Sequence, residues 1–210
     1  MLLKDELKTL ISGTGFVTTG TAIQAVAGYI RKSKIAGAAT EKKEPVKEQE
    51  AAAIIAYAEL HNFFFTNINK DRYLAEGAEQ KVYLEADGKN VIKLNDTIFY
   101  SSWGDYFNSL LLHNYFFPST SYELIGFLHE SEKLYAVVKQ TYIHTTEPTN
   151  ENDVKELMAS NGFANKKNSD YFSNELGIIL EDLHDENVLT NNGVLFFIDT
   201  VFYLTDNFYK

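Results

Sequence analysis

The sequence predicts an α+β fold in which helices come first, a small antiparallel sheet follows, and the last third of the chain is mainly helical. Two pairs of apolar segments, each joined by a short polar turn, are typical of β-hairpins. Apolar residues at helical spacing occur before the first pair, between the two pairs and after the second. The chain has 210 residues, of which 45% are hydrophobic and 14% aromatic, so it can bury one sizeable core or two smaller ones.

A helical amino-terminal extension is predicted over residues 1–72. Apolar residues recur at helical spacing at the start of the chain, and the pattern stops at Gly13. Two further helices are predicted, over residues 21–33 and 46–61. Between them the charged, Ala-rich stretch 34–47 has no apolar periodicity and contains a proline, so we expect a linker there.

The antiparallel sheet is predicted within residues 73–139. One hairpin is expected over residues 80–94, around the turn Ala86-Asp87-Gly88-Lys89, and another over residues 122–138. Between the hairpins, residues 98–117 are long, aromatic and helical in spacing. Pro118 closes this helix because proline lacks the backbone N–H that a helix interior needs.

Residues 140–210 begin with a connector and a short helix. The connector covers residues 140–149, and the helix is predicted over about 150–160. Thr149 or Asn150 is the expected N-cap, and Gly162 is the expected end.

The most informative motif lies in this last part. Asp182 and Asn187 are five residues apart on a predicted loop; a hydrophobic strand, a turn over 191–193, a second hydrophobic strand and Asp199 follow. Such a hairpin brings two carboxylates and one amide oxygen to one end. Mg²⁺ that carries the phosphates of a nucleotide needs hard oxygen ligands and room for water. The motif therefore predicts a phosphate-transfer site.

Charge and composition exclude several classes of function. The formal net charge is −10; residues 1–50 carry eight basic and six acidic side chains, and residues 151–210 carry four and eleven. Such a chain offers no extended basic footprint for nucleic acid. It has no Cys, which excludes disulfides and favours a cytoplasmic location. The apolar stretch 11–30 is too interrupted for a membrane span, so we expect neither a targeting segment nor membrane contact.

Four segments resemble motifs that occur together, in this order, in one superfamily. They are the stretch from Leu74 to Tyr83, which contains Gly77; Val91-Ile92-Lys93; Asp182-Leu-His-Asp-Glu-Asn187-Val-Leu; and Ile198-Asp199-Thr200. They are similar to the glycine-rich loop, the V-A-I-K strand, the D-L-H-P-x-N-V-L loop of aminoglycoside and choline phosphotransferases, and the I-D-F or D-F-G motif. Over roughly residues 73–200 the chain thus resembles the protein-kinase-like superfamily. Within it, the chain looks most like the kinase-like domain of polyvalent proteins of phage and conjugative elements.

The resemblance implies a two-lobed protein-kinase-like fold. Residues 73–139 would form a small antiparallel sheet lobe, and residues 140–210 would form the hinge and a short, reduced helical C-terminal lobe. The implied activity is an ATP- and Mg²⁺-dependent phosphotransferase whose acceptor is a hydroxyl on a small molecule or a protein.

The same resemblance assigns a role to each site residue. Asp182 would orient or deprotonate the acceptor hydroxyl, and Lys93 would contact the α- and β-phosphates. Asn187 and Asp199 would hold Mg²⁺. The residues that would contact the nucleotide are Gly77, Val82, Lys93, Gln140 and Tyr142.

Some positions depart from the family pattern. Ala75 and Gln80 stand at two of the three glycine positions, and Leu180 replaces the first His of the catalytic loop. Asp105 is the only acid on the helix that follows Lys93. These departures favour an alternative, a degenerate pseudokinase that acts as a nucleotide-binding or protein-interaction module. A third possibility is a metal-dependent hydrolase that uses the two aspartates of the motif and needs no nucleotide.

Other prominent side chains have simpler interpretations. We expect His184 to support its loop and His113 to be a helix-end or core residue. Trp103 and the aromatic run 63–65 are interpreted as packing residues.

Overall fold

A computed structural model describes residues 2–13, 21–37, 46–77 and 80–210. The chain divides into two compact units. One contains the described residues of 21–107 together with 122–142, and the other contains 2–13, 108–121 and 143–210. Helices and antiparallel sheets occur in the described chain, so the α+β class is confirmed. None of the described helices is long and apolar enough to span a membrane.

The first unit is built on a sheet of five strands, counted over the described residues. The strands are β1 (Tyr73–Glu76), β2 (Gln80–Leu84), β3 (Asn90–Asn95), β4 (Glu123–Glu130) and β5 (Lys133–Thr141). Their order is β1-β2-β3-β5-β4, and all neighbours are antiparallel. Both predicted hairpins, β2–β3 and β4–β5, are confirmed. Strand β5 runs further than expected and includes Gln140, which the sequence placed in a connector.

Helices from the amino-terminal part pack on this sheet. Helix α1 (Leu3–Ser12) belongs to the other unit, whereas α2 (Thr21–Gly37) packs against both α3 (Val46–His61) and β4. The predicted bounds of α3 are confirmed, and α2 continues four residues past the expected end at 33. Most of the predicted linker, residues 38–45, lies outside the described residues.

The segment after α3 extends the sheet beyond β4. Phe65 donates its backbone N–H to the Phe127 carbonyl (2.7 Å), and the Phe127 N–H bonds to the Phe63 carbonyl (3.0 Å), which makes a parallel bridge. The rings of Phe63 and Trp103 each lie near the ring of Phe127, with centroid distances of 6.0 and 6.3 Å. Trp103 is 2% exposed. The packing role expected for Trp103 and for the aromatic run is confirmed at these contacts.

Close approach to β4 requires a glycine. Gly126 has a φ of 154°, and a Cβ added there would lie 2.8 Å from the Phe63 carbonyl oxygen and 3.2 Å from the Phe65 Cβ. Since real Cβ atoms do not come so close to backbone oxygen, the segment 63–65 can lie here only because position 126 has no side chain.

Helix α4 (Trp103–Phe116) begins later than its apolar pattern predicts. The chain leaves β3 through Thr97, which has a φ of 59° and donates its N–H to the side chain of Asn95. Lys47 of α3 donates its ammonium group to the carbonyls of Thr97 and Tyr100. Residues 98–102 are therefore held as a turn. The prediction that these residues form the first part of the helix is wrong.

The second unit contains short helices and two further sheets. Helix α5 (Glu151–Ser160) is capped by Asn150, as predicted. The remaining elements are β6 (Ala164–Lys167), β7 (Asp170–Ser173), β8 (Ile178–Glu181), β9 (Val188–Asn191), β10 (Val194–Phe197), β11 (Val201–Leu204) and α6 (Asp206–Tyr209). Strands β11-β8-β7-β6 form one sheet and β10-β9 form the predicted hairpin. The expectation of a mainly helical C-terminal part is wrong, because six strands occupy residues 164–204.

An aromatic core holds this unit together. Phe116, near the end of α4, stacks on Phe202 of β11 with ring centroids 5.6 Å apart. Phe117 stacks on Phe197 at the end of β10, with centroids 4.1 Å apart. The hydroxyl oxygen of Ser109 accepts the backbone N–H of Phe202 (3.0 Å). These contacts fix the strands on either side of Asp199.

Candidate functional site

The 182–187 loop leaves β8 with an unusual backbone conformation. Asp182 has a φ of 70°, in the left-handed region that Asp and Asn tolerate better than most residues. Its backbone N–H bonds to Oδ1 of Asp170 (3.2 Å), and the next N–H, of Leu183, bonds to the Ser169 carbonyl (3.0 Å). The loop is thus anchored to the tip of the β6–β7 hairpin.

Two loop residues orient the Asp182 carboxylate. Asn187 donates its Nδ2 to both Oδ2 and the backbone carbonyl of Asp182, each at 2.9 Å. The ring of His184 accepts the Glu186 backbone N–H at Nδ1 (3.2 Å), and its Nε2 lies 3.2 Å from Nδ2 of Asn187. That Nε2 lies 3.1 Å from Asp182 Oδ1. His184 therefore supports its loop, as expected.

The β9–β10 hairpin brings Asn187 next to the Asp199 segment. The strands pair from Val188↔Phe197 to Asn191↔Val194. One further backbone bond, from Ile198 N–H to the Asn187 carbonyl (2.9 Å), continues this register. Asp199 directly follows Ile198 and is half-buried. The structure thus brings Asp182, Asn187 and the Asp199 segment to one end of the hairpin, which is the placement that the sequence predicts.

A buried histidine network supports the residue after Asp199. His113 of α4 is fully buried, with Nδ1 2.7 Å from the Thr200 hydroxyl and Nε2 2.9 Å from the Thr120 carbonyl. The Thr120 hydroxyl in turn donates to the Phe197 carbonyl (2.5 Å). The core interpretation of His113 is confirmed. The hydrogen bonds by which His113 and Thr120 hold the residues on either side of Ile198-Asp199 were not predicted from the sequence, because 87 residues separate His113 from Thr200.

Negative charge is concentrated at the start of the loop. The pKa of Glu181 is raised, first because the carboxyl is partly removed from water, and second because the Asp170 carboxylate is near; Asp182 adds a smaller effect. Lys166 opposes the rise. Three carboxylates therefore share this end of the sheet, which costs free energy unless one of them has a compensating interaction.

Lys93 lies on the central strand of the first unit. It pairs with Val82 on β2 and with Val138 on β5, and it is 4% exposed. Its ammonium nitrogen lies 5.4 Å from the centroid of the Tyr122 ring, within the range of a cation–π contact. The sequence gives no signal for this aromatic neighbour. A buried lysine on a strand is an uncommon placement, and it sets Lys93 apart from the solvated lysines of the chain.

The other residues predicted to contact nucleotide lie in the same unit. Val82 is the strand partner of Lys93. Gln140 is buried on β5 opposite Val91, and the Tyr142 N–H bonds to the Lys89 carbonyl (2.8 Å).

The glycine-bearing stretch is only partly described. Gly77 follows β1, and its N–H bonds to the Gln80 carbonyl (2.9 Å). A Cβ at Gly77 would meet no described atom within 4 Å, so packing does not require glycine there. Residues 78 and 79 of the predicted glycine-rich loop lie outside the described part of the chain.

Asp105 is engaged at the start of α4. Its Oδ2 accepts the Ser102 hydroxyl (2.8 Å), and its own N–H bonds to that hydroxyl oxygen (3.0 Å), which is a reciprocal helix cap. A second acid, Glu50 of α3, is 1% exposed and accepts the Trp103 N–H at 2.7 Å. Lys34 lies 2.6 Å from the other oxygen of Glu50.

The donor atoms near Asn187 suit a hard cation. Asn187 uses its Nδ2 on Asp182, which leaves its Oδ1, and Asp199 supplies a carboxylate. Oxygen donors of this kind suit Mg²⁺, which keeps several waters and is bound by few protein ligands together with phosphates. Within the described ranges, no cluster of three or more His, Cys, Asp or Glu side chains could hold a metal by itself.

A comparison with protein families identifies the family of the chain. A family model described as Serine/Threonine/Tyrosine Kinase found in polyvalent proteins matches residues 47–206. This range contains both the Lys93 strand and the loop and hairpin with Asp182, Asn187 and Asp199. The chain belongs to this kinase family. Searches of the curated proteins and of the solved structures gave no significant match.

Proposed function

We propose that the chain is a phosphotransferase that uses ATP and Mg²⁺ and delivers a phosphoryl group to a hydroxyl acceptor. The observation that carries the proposal is the oriented Asp182 carboxylate beside Asn187 and the Asp199 segment, within a chain of a kinase family. The two-lobed kinase-like fold belongs to this proposal. So do the cytoplasmic location and the association with phage and conjugative elements.

Asp182 has the properties of an acceptor-orienting base. Oδ2 already accepts one hydrogen bond from Asn187, and Oδ1 lies 3.1 Å from Nε2 of His184. A carboxylate oxygen has two lone-pair directions, so both can still accept a proton from a hydroxyl. Fixing the carboxylate in this way reduces the freedom that is lost when the acceptor binds.

The remaining residues would bind the nucleotide. Lys93 would contact the α- and β-phosphates, and its burial strengthens its electrostatic attraction to phosphate. Asn187 and Asp199 would hold Mg²⁺, which neutralises charge on the phosphates when bound. The hydrogen bonds of His113 and Thr120 would keep the Asp199 segment in place.

The experiment is a thermal-shift and turnover study of the purified chain. Mg·ATP at about a hundred times its dissociation constant stabilises the folded state by about 2.7 kcal/mol, which raises Tm by several degrees. The shift should need Mg²⁺ and should weaken in Lys93→Ala and in Asp199→Asn. An Asp185→Asn variant changes an exposed acid of the same loop and serves as the matched control.

Turnover separates the enzyme from the binding module. Transfer of labelled γ-phosphate is measured to water, to the chain itself, and to a panel of hydroxyl compounds and Ser, Thr and Tyr peptides. Asp182→Asn is expected to abolish transfer while the Mg·ATP shift persists. A wild-type shift without any transfer would favour the degenerate module, a reading that the engagement of Asp105 with Ser102 also favours. No shift at millimolar Mg·ATP would refute the nucleotide site.

A further inference from the structure

The loop that carries Asp182 is anchored by a side chain from a neighbouring hairpin. Strands β7 and β8 pair from Ser173↔Ile178 to Tyr171↔Leu180. Beyond this pairing, the Asp182 N–H bonds to the carboxylate of Asp170 instead of to a backbone carbonyl. The next N–H, of Leu183, returns to a backbone partner at Ser169.

This side-chain contact occurs where the backbone is strained. Asp182 adopts a left-handed conformation that costs free energy for every residue except glycine. Its side chain is held by Asn187 and His184, but these contacts do not fix the N–H. The Asp170 oxygen satisfies that N–H in the turned conformation, whereas Asn187 bonds to the carboxylate and to the backbone carbonyl of Asp182.

The Asp170 carboxylate lies near two other acids, Glu181 and Asp182. It lies close enough to Glu181 to contribute to the rise of the pKa of that carboxyl, after the larger effect of burial. The hydrogen bond from the Asp182 N–H gives the Asp170 carboxylate a favourable interaction beside these acids.

We infer that Asp170 is a positioning residue, whose carboxylate oxygen holds Asp182 in the left-handed conformation and thereby sets the direction of the Asp182 side chain. The effect on phosphoryl transfer rests on the proposed function. The backbone contact does not, so it can be measured in the free protein.

The test compares wild type with Asp170→Ala and Asp170→Asn. The amide of Asn has an oxygen at the position of Oδ1 and therefore restores the acceptor without the charge. Glu156→Ala, which changes an exposed acid on α5 of the same unit, is the matched control. If Asp170→Ala does not fold, Asp170→Ser replaces it, because the shorter side chain cannot place an oxygen at the Oδ1 position.

The first measurement is hydrogen exchange of the Asp182 amide by NMR, without nucleotide. Asp170→Ala should speed exchange by about tenfold, as expected for loss of one hydrogen bond to a charged group. Asp170→Asn, which keeps the acceptor without the charge, should fall between wild type and Asp170→Ala, and Glu156→Ala should stay close to wild type. Unchanged exchange in Asp170→Ala, or equal acceleration in Asp170→Asn, would overturn the inference.

The second measurement is turnover of Mg·ATP. Asp170→Ala should lower kcat by about ten- to a hundredfold, as expected for a displaced base, and leave KM for ATP unchanged. Asp170→Asn should recover most of the loss. Full turnover in Asp170→Ala would overturn the catalytic consequence. A wild-type protein without turnover would refute the proposed function, while amide exchange would still decide whether Asp170 holds Asp182.

Discussion

Replacing Gly126 by Ala tests whether the amino-terminal segment completes the first sheet. The new Cβ would lie 2.8 Å from the Phe63 carbonyl oxygen, closer than the two atoms can pack. Either β4 leaves its φ of 154° or the segment 63–65 moves away. The first response costs about 1–3 kcal/mol of backbone strain. The second loses backbone bonds to Phe127, each worth about 1 kcal/mol.

Together these effects predict a loss of about 2–4 kcal/mol in the free energy of unfolding. For a chain of this size, that lowers Tm by roughly 5–15 °C. Differential scanning fluorimetry measures the shift, and urea unfolding followed by circular dichroism gives the free energy.

Gly88→Ala is the matched control for Gly126→Ala. Gly88 also has a positive φ, of 67°, but a Cβ there would meet nothing within 4 Å. It should cost only about 1 kcal/mol, the strain of a left-handed alanine. If Gly126→Ala is no less stable than Gly88→Ala, the close approach of residues 63–65 does not stabilise the sheet and the reasoning fails.

Two further predictions concern buried and crowded acids. Glu50→Ala removes the oxygen that accepts the Trp103 N–H and should lower the free energy of unfolding by about 2–4 kcal/mol. Glu50→Gln keeps an acceptor and should lower it less; equal losses for the two variants in urea unfolding would contradict this. Burial and then Asp170 raise the pKa of Glu181, so the folded state binds its proton more tightly, and this contribution to stability is lost as pH rises from the unfolded pKa through the folded one. Glu181→Gln should therefore raise Tm slightly at pH 7 and not near pH 4, and a Tm difference that is the same at both values would exclude this explanation.

Local patterns explain the elements that the sequence predicts well. The predicted bounds of α3 and the observed Val46–His61 coincide. The hairpins β2–β3 and β9–β10 are confirmed. They could be predicted because, in each of them, two apolar segments and a polar turn lie next to each other in the chain. Asn150 caps α5 as expected, since Asn at that position accepts the N–H of residue 152.

Contacts between distant residues explain the errors. The apolar spacing of residues 98–102 is compatible with a helix, but Lys47 bonds to two carbonyls of this turn from about fifty residues away. Every residue of strand β6 (Ala164–Lys167) is exposed, so the segment lacks the alternation of apolar and polar residues that predicts a strand. Its pairing with β7 is what makes it a strand.

The same difference between local patterns and contacts between distant residues applies to the candidate site. The proximity of Asp182, Asn187 and the Asp199 segment could be predicted from residue type and spacing, because a hairpin brings them together locally. The side chains that hold them could not, since Asp170 and His113 belong to no motif and reach the loop or Thr200 from other elements. A motif specifies which atoms react, whereas their positions depend on hydrogen bonds to ordinary core and hairpin residues. Loss of activity after a substitution at His113 or Asp170 would therefore be expected even though neither residue is predicted to touch nucleotide.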